Sequence, residues 1–284
     1  MLQEAVRHNR CAERPHVTRL SAGAAAVLLL AAAAGCARAP VERVEWTTMG
    51  TIAAVQSRGA PAPLAADAAR RAFDEVEKRL NAHDPKSELS RLAPLADDEV
   101  LARCDARMRP CYEAAFRLMR ETEGAFNPRW RGPRTLDLGG IAKGFALDIA
   151  RDAAAAEKER AHGSQDVLLD LGGNLKAASG EWRVGVYCPA GSEHFPDAIT
   201  LAPGEACATS AEYVRGKHIY DGRTGLAVTN DILSVTVVHP TSAMLADGLS
   251  TVMFIFGREK GEAFLKRCYP EARAVWIMRG GFPR

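Results

Sequence analysis

The chain has 284 residues, of which 47% are hydrophobic and 25% are charged, and its formal net charge at pH 7 is +2. This is the composition of an ordinary globular protein, and the length is sufficient to bury a sizeable core. The near-neutral charge gives no sign of the basic surface on which nucleic-acid binding depends, so we expect no nucleic-acid partner.

The N-terminus has the pattern of an exported lipoprotein. Basic residues precede an uncharged run from Leu20 to Ala34, which is shorter than the roughly 20 apolar residues of a membrane span. Small residues then lead to Cys36, as in a bacterial lipobox, whose cysteine is lipidated. We predict a signal peptide over 1–35, a short tether over 36–44 and one domain over 45–284, lipid-anchored on the periplasmic side of the inner membrane. The alternatives are a cleaved secretory signal with a chance cysteine, or an anchor helix.

The cysteines form no C-x-x-C pair and no Cys/His spacing typical of zinc. Export would permit disulfides, but the scattered spacing requires none. We therefore expect the cysteines after Cys36 to be small buried hydrophobic side chains.

In the first half of the chain, apolar patterning predicts three elements in order. Val44–Gln56 is rich in β-branched residues and predicts a strand or hairpin. Apolar positions from Leu64 to Leu80 follow helical spacing. A second helix is expected to begin near Pro110 and to end at Gly124, because proline suits a helix start and glycine a helix end.

The second half predicts strands with helices between them. The predicted strands are Thr135–Leu138, Asp166–Leu171, Trp182–Cys188, Ala198–Ala202, Ser234–His239 and Ala272–Met278. The predicted helices are 141–161, Leu245–Phe256 and Glu259–Cys268. Clustered strands with interspersed helices predict a mixed α+β domain.

The segment Leu136–Asp148 (LDLGGIAKGFALD) has the features of a phosphate cradle. Two glycines follow a predicted strand and precede a helix, where free N–H groups favour anions and glycine allows close approach. Lys143 in the first turn can add a charge-assisted bond to a phosphate. The spacing matches neither standard phosphate-binding motif, so a tight turn with a surface lysine is equally open.

The segment Leu245–Gly257 (LADGLSTVMFIFG) offers hard oxygen ligands. Asp247 and Thr251 are four residues apart and share one helix face. A carboxylate and a hydroxyl suit Mg²⁺, which takes few protein ligands besides phosphate oxygens. The alternative is an aspartate favoured by the helix dipole and a threonine bonded to a backbone carbonyl.

A third segment, Ala208–Gly225, contains a histidine beside an acid. His218 and Asp221 lie in a hairpin-like stretch closed by two glycines. Such a pair can act as a general base or anchor a polar ligand, although a histidine near a turn is often only solvated.

Together these segments closely resemble the ApbE family of FAD:protein FMN transferases. Asp137–Gly144 matches the family's D-L-G-G-I-A-K-G at every position, and Thr209–Tyr213 matches T-S-G-x-Y with one change. His218–Gly225 matches H-I-I-D-P-R-T-G with two changes, and Ala246–Thr251 matches the Ala, Asp and Thr of A-D-A-x-A-T. The resemblance extends over about 46–278 and implies one α+β domain with largely antiparallel sheets and flanking helices.

The resemblance also implies an activity and a site. FAD would be the substrate, Mg²⁺ the cofactor, and FMN would pass to a Thr or Ser hydroxyl of a periplasm-facing redox protein with a D-x-x-[ST]-G-A-[ST]-like motif, with release of AMP. The implied metal ligands are Asp247, Thr251 and the carbonyl of Gly140. The implied FAD-binding residues are Met49, Ala125, Phe126, Asn127, Asp137, Lys143, His218 and Asp221, the last two being also the catalytic candidates near the incoming hydroxyl.

This chain departs from the family pattern at the flavin end. Only nine residues separate Asn127 from Asp137, Gly222 replaces a proline, and Ala211 replaces a glycine. The metal and phosphate segments match, and we expect the metal site in a surface cleft. Alternative functions are an FAD pyrophosphatase that releases FMN and AMP, and a non-catalytic flavin-binding lipoprotein.

Overall fold

The computed structural model describes residues 40–59, 62–161, 166–186, 198–212, 216 and 218–279. The predicted signal peptide and Cys36 lie outside these ranges. Within them, no helix is long and apolar enough to cross a membrane.

The strands form one large antiparallel sheet and two small hairpins. They are β1 (Val41–Thr48), β2 (Thr51–Arg58), β3 (Asp166–Leu171), β4 (Asn174–Ser179), β5 (Trp182–Gly185), β6 (Ala198–Leu201), β7 (Ala206–Ala211), β8 (Tyr220–Asp221), β9 (Leu226–Ala227), β10 (Ile232–His239) and β11 (Arg273–Met278). The large sheet has the order β1-β2-β3-β4-β7-β10-β11, while β5 pairs with β6 and β8 with β9. β1 begins at Val41, four residues before the predicted domain boundary.

The helices are α1 (Ala62–Leu80), α2 (Glu88–Leu92), α3 (Asp97–Arg103), α4 (Arg109–Glu121), α5 (Ala142–Ala161), α6 (Ala243–Phe256) and α7 (Arg258–Cys268). α1, α5 and α6 pack side by side against the large sheet. Large side chains such as Phe73, Phe116, Leu169 and Phe254 fill the space between the two layers. The predicted α+β class with antiparallel sheets and flanking helices is therefore confirmed.

Alternate residues of the same strands contribute to a second, smaller cluster. Leu168, Val238 and Ile277 pack with Trp182 and Ile199 of the β5–β6 hairpin. Because successive strand side chains point to opposite faces, this cluster lies across the sheet from the helices.

Two tight turns set the hairpin registers of the large sheet. β1 and β2 are joined by Met49 and Gly50, with φ of 48° and 67°, and β3 and β4 by Gly172 and Gly173, with φ of 65° and 87°. Two consecutive positive φ values define the type I′ turn, whose twist matches that of paired strands. A Cβ at Gly172 would lie 2.6 Å from Thr51 Oγ1, so glycine allows the second turn to pack against β2.

A buried ion pair fastens α5 and β4 to the start of α6. Asp148 of α5 accepts hydrogen bonds from the N–H groups of Ala243 (2.9 Å) and Met244 (3.0 Å). The side chain of Lys176 is fully buried, and its Nζ lies 3.2 Å from Asp148 Oδ1 and donates to the Thr241 carbonyl at 2.6 Å. The Asp148 carboxylate thus accepts hydrogen bonds from N–H groups at the start of α6 that have no partner within the helix.

Lys176→Met should lower the stability of the protein and also change how that stability depends on pH. Burial lowers the pKa of Lys176 despite Asp148, so the unfolded chain binds this proton more tightly than the folded protein. The stability of the wild type relative to Lys176→Met should therefore rise with pH, up to about pH 10.4, the ordinary pKa of lysine in an unfolded chain. At pH 7 the variant should be less stable by about 1–3 kcal/mol, because Asp148 loses its counter-charge and the Thr241 carbonyl loses its donor. Urea unfolding at pH 7 to 10 measures this, and a pH-independent difference would contradict it.

Most predicted elements are confirmed within a few residues, but the strand over Thr135–Leu138 is wrong. This segment is irregular chain. Leu136 and Leu138 are buried and alternate with half-buried neighbours, which imitates a strand. The backbone is instead held by a bond from the Asp137 N–H to the Pro128 carbonyl (2.8 Å), and no described strand pairs with it.

Three of the four described cysteines agree with the expectation of small buried side chains. Cys104, Cys111 and Cys207 are free and buried, and Cys268 is free and half-buried. Burial raises the pKa of Cys207 to about 12, so this thiol stays protonated and unreactive at neutral pH.

Candidate active site

A cavity of about 1220 Å³ opens between the glycine turns, the start of α5, and α6. Its volume exceeds the 300–1,000 Å³ of ordinary small-molecule pockets and so has room for an extended ligand. Nine of the predicted site residues line it: Ala125, Phe126, Asn127, Asp137, Gly140, Lys143, His218, Asp247 and Thr251. Met49 and Asp221 do not.

Met49 occupies the first position of the β1–β2 turn, and its side chain packs against the main core. Thr51, two residues later, lines the cavity instead. The predicted contact between Met49 and the ligand is therefore absent from the geometry described.

The glycine turn before α5 is organised by its own aspartate. Asp137 Oδ1 accepts a hydrogen bond from the Gly139 N–H (2.9 Å). The N–H groups of Ile141 and Ala142 both donate to the Leu138 carbonyl, and α5 begins there. The turn thus delivers Lys143 to the first helical turn, at the cavity wall, as its sequence predicts.

Asp247 joins α6 to the start of α5. Its Oδ2 accepts from the Gly144 N–H at 2.9 Å, and Lys143 Nζ lies 3.2 Å from Oδ1. The residue is 4% exposed. This carboxylate lies at the floor of the cavity between two packed helices, deeper than a residue at the surface of a cleft.

The close approach of the two helices depends on Gly144. A Cβ at this position would lie 2.1 Å from the carbonyl oxygen of Ala243 and 2.7 Å from the Cα of Met244. Both obstacles are backbone atoms, so no side-chain movement could relieve them. Glycine here brings the Gly144 N–H within reach of Asp247.

Three oxygen groups at the cavity floor fit a magnesium ion. The Gly144 N–H donates to Asp247 instead of to the Gly140 carbonyl one turn earlier, and no described backbone N–H donates to that carbonyl. A Cβ on Gly140 would lie 3.4 Å from Thr251 Oγ1, so these residues are adjacent. The described residues contain no cluster of three or more His, Cys, Asp or Glu side chains. One carboxylate, one hydroxyl and one carbonyl match the donor set of Mg²⁺ in phosphate sites and not that of zinc.

The opposite part of the cavity carries an aromatic stack. The rings of Trp130 and Tyr220 lie 4.3 Å apart at an interplanar angle of 11°, and the Arg131 guanidinium lies 4.6 Å from the Trp130 ring. Trp130 Nε1 donates to Asp137 Oδ2 (3.3 Å), which links the stack to the glycine turn. The sequence gave no sign that Trp130 and Tyr220 would stack on each other.

The surroundings of Gly222 explain why this chain has glycine where the family pattern has proline. Its N–H donates to the Ala125 carbonyl (2.9 Å), and a Cβ would lie 2.3 Å from the Cβ of Asn127 and 2.6 Å from the Gly124 carbonyl oxygen. A proline could neither donate this bond nor fit. The short loop before Asp137 therefore packs directly against the β8–β9 hairpin.

His218 and Asp221 have different surroundings. His218 is exposed at the cavity wall, and its Nδ1 lies 2.7 Å from the Gly216 carbonyl oxygen. Asp221 Oδ1 accepts from the Nε of Arg223 at 2.9 Å, and these hydrogen bonds lower the pKa of Asp221. Because Asp221 does not line the cavity and its carboxylate is bonded to Arg223, His218 is the better placed of the two to act as a base toward the cavity.

Asn174 and a pair of serines were missed from the sequence. Asn174 follows the Gly172-Gly173 turn and lines the cavity. Ser210 also lines it, and its Oγ lies 2.9 Å from that of Ser250, which donates to the Asp247 carbonyl. Ser210 lies within the T-S motif, and Asn174 adjoins a glycine pair. Their proximity to those motifs was the only feature of the sequence that could have identified them as site residues.

The fold and site define an α+β protein with a cavity suited to a phosphate-bearing ligand and a divalent cation. A family model described as the ApbE family matches residues 49–132 and 130–276. The chain belongs to the ApbE family.

Individual relatives agree with this membership. The chain is 36% identical over 141 residues to the FAD:protein FMN transferase of Klebsiella pneumoniae, which covers 46% of this chain and 42% of that protein. It is 33% identical over 163 residues to the FAD:protein FMN transferase of Treponema pallidum, covering 50% and 43% respectively. The matched segments thus span less than half the length of these curated relatives.

The fold is shared with solved structures. The flavin transferase ApbE from Vibrio cholerae aligns with a TM-score of 0.66 at 23% identity, covering 86% of this chain and 96% of that one. At this identity the likeness concerns the fold alone.

Proposed function

We propose that this protein transfers FMN from FAD to a threonine or serine hydroxyl of another protein and releases AMP. The observation that supports this most directly is the floor of the cavity, where Asp247, Lys143 and the glycine turn meet. Relatives named FAD:protein FMN transferase share these segments over part of their length.

The groups at the floor would divide the work of binding the pyrophosphate. Asp247, Thr251 and the Gly140 carbonyl would hold Mg²⁺, which when bound neutralises phosphate charge and polarises the phosphoryl group. Lys143 adds a positive charge at the same wall, and the backbone N–H groups at the start of α5 favour an anion. The residues therefore place positive potential where charge develops during displacement at phosphorus.

His218 is suited to take the proton of the attacking hydroxyl. If its Nδ1 donates to the Gly216 carbonyl at 2.7 Å, then Nε2 retains the lone pair and can accept a proton. The acceptor oxygen forms a bond to the FMN phosphorus, the bond to the AMP oxygen breaks, and the hydroxyl proton passes to Nε2. General base catalysis of this kind is worth about 10²–10⁴-fold.

The cellular setting is part of the same proposal. Lipidation at Cys36 would hold the domain at the periplasmic side of the inner membrane, where a redox protein with a D-x-x-[ST]-G-A-[ST]-like motif would be the acceptor. The support is the N-terminal sequence pattern. Replacing Cys36 by Ser should move the protein from the membrane fraction to the soluble periplasm, and unchanged membrane association would contradict the lipid anchor.

Mass spectrometry of an acceptor protein tests the activity. The purified protein is incubated with FAD, Mg²⁺ and an acceptor carrying the threonine motif, beside the same acceptor with that threonine replaced by valine. We expect the first acceptor to gain the mass of one FMN, with AMP released, and the second to stay unmodified. Free FMN and AMP with both acceptors unmodified would indicate a pyrophosphatase, which the exposed position of His218 would allow by admitting water. Unchanged FAD would indicate a flavin-binding protein without turnover.

A further inference from the structure

Asn174 presents a buried hydrogen-bond donor with no partner. The residue is 2% exposed, and its Nδ2 is closed to water and makes no hydrogen bond within the described residues. Folded proteins contain few such groups, because leaving a buried donor unsatisfied costs about 1–3 kcal/mol. A donor kept at this cost suggests that its acceptor arrives with a ligand.

The location of Asn174 distinguishes it from the other unpartnered side-chain atoms. Among the described residues, these belong to Trp46, Tyr112 and Ser234, and none of those residues lines the cavity. Two further buried nitrogens without a hydrogen bond, Arg151 Nε and His239 Nε2, each lie within 3.4 Å of a carboxylate oxygen and also lie outside the cavity lining. Asn174 does line it, together with the glycine turn and Lys143. Only here does an unsatisfied donor coincide with the space in which a ligand would lie.

The register of β4 places Asn174 beneath the start of α5. Asn174 and Lys176 are two residues apart and share one face of the strand. Lys176 Nζ reaches Asp148 of α5 at 3.2 Å. Four residues separate the end of α5 from β3, which is antiparallel to β4, so α5 and β4 run in the same direction. Two strand residues span about 6.6 Å and four helical residues about 6 Å, so Asn174 lies near Gly144, one turn before Asp148. This is the helical turn that contains Lys143.

We propose that Asn174 is a further binding residue, which donates from Nδ2 to an oxygen of the FAD pyrophosphate beside Lys143. An amide donor aimed at an anionic oxygen forms a charge-assisted bond, which is stronger than a neutral one. The Gly172-Gly173 turn serves this role, because its type I′ geometry places Asn174 at the first position of β4, where it lines the cavity. The assignment rests on the proposed binding of FAD.

Asn174→Leu separates this role from a structural one. Leucine has a similar size and no donor, so removal of the unsatisfied amide should leave the melting temperature without ligand unchanged or raise it. The dissociation constant for FAD with Mg²⁺, measured by calorimetry on the full chain, should rise by about 10-fold or more. That for riboflavin, which has the ring and no phosphate, should stay the same. Asn174→Asp should weaken FAD binding further, because a carboxylate repels the pyrophosphate.

Ser234→Ala is the matched control. Ser234 Oγ is also buried and unpartnered, on β10, but Ser234 does not line the cavity. Its removal should leave FAD binding unchanged, with the same or a higher melting temperature. An FAD dissociation constant for Asn174→Leu within twofold of wild type would overturn the assignment, as would a lower melting temperature with unchanged binding. An equal loss for riboflavin would move the contact to the flavin ring and also overturn it. Wild-type protein that binds no FAD would overturn the proposed function, and the Asn174 assignment with it.

Discussion

Replacing Asp247 by Asn should lower the rate of FMN transfer by about 10²–10³-fold while the protein stays folded. Asp247 is the only acidic side chain in the proposed metal site. The charge stabilisation that a bound divalent cation supplies amounts to several kcal/mol, and each 1.36 kcal/mol is a factor of ten in rate. Asparagine keeps an oxygen that can accept the Gly144 N–H, so the contact between α5 and α6 is retained.

The measurement is the initial rate of acceptor flavinylation as a function of Mg²⁺ concentration. The variant should need far more metal and reach a lower maximal rate. Asp170→Asn is the control, because Asp170 also lines the cavity and accepts the Gly173 N–H at 2.9 Å but lies outside the metal set. Because Asp170 is not a ligand in the proposed metal site, the loss of its charge should alter the rate much less. Equal rates for Asp247→Asn and wild type would remove the metal assignment.

Asp247→Ala should combine the same loss of rate with a loss of stability. Alanine leaves the Gly144 N–H without its acceptor, and a buried unsatisfied donor costs about 1–3 kcal/mol. The sequence alone predicted a surface cleft and gave no sign that Asp247 is buried between two helices. Comparing the melting temperatures of the alanine and asparagine variants separates the structural role of this carboxylate from its role in binding metal.

The motifs predicted from the sequence were those in which local chain geometry alone determines where the side chains lie relative to one another. Gly139 and Gly140 lead into a helix whose first turn contains Lys143, and this arrangement needs only neighbouring residues. Likewise Asp247 and Thr251 share a helix face through spacing alone. The sequence therefore contained most of the metal and phosphate end of the cavity.

The features missed from the sequence depend on contacts between distant segments. β4 (NLKAAS) has few β-branched residues and pairs because the Gly172-Gly173 turn returns it along β3. The partner of Trp130 is Tyr220, 90 positions later, and neither residue predicts the other. The pairing of Asp221 with Arg223 is local, but it depends on the detailed geometry of a four-residue turn, which spacing alone does not predict.

Gly144→Ala should destabilise the protein by about 3 kcal/mol, although alanine is the better helix former. The added methyl group would lie 2.1 Å from the carbonyl oxygen of Ala243, and the backbone of α6 would have to move. Because the obstacle is backbone, we place the cost of this overpacking at about 4 kcal/mol, above the usual range of about 1–3 kcal/mol, which leaves about 3 kcal/mol after a gain of about 1 kcal/mol in helix propensity. For a domain of this size the melting temperature should fall by roughly 6–12 °C.

Gly248→Ala on α6 is the matched control. Gly248 is also a buried helical glycine, but its Cβ would meet the side-chain Leu118 Cδ1 at 2.6 Å, the end of a flexible group. This variant should stay within about 1 kcal/mol of wild type, because rotation of a leucine can relieve the contact. Thermal unfolding of both variants measures this difference in stability. Equal melting temperatures would contradict the close approach of the two helix backbones. Since the same approach brings the Gly144 N–H to Asp247, any Gly144→Ala protein that folds should also bind Mg²⁺ more weakly, whereas Gly248→Ala should not.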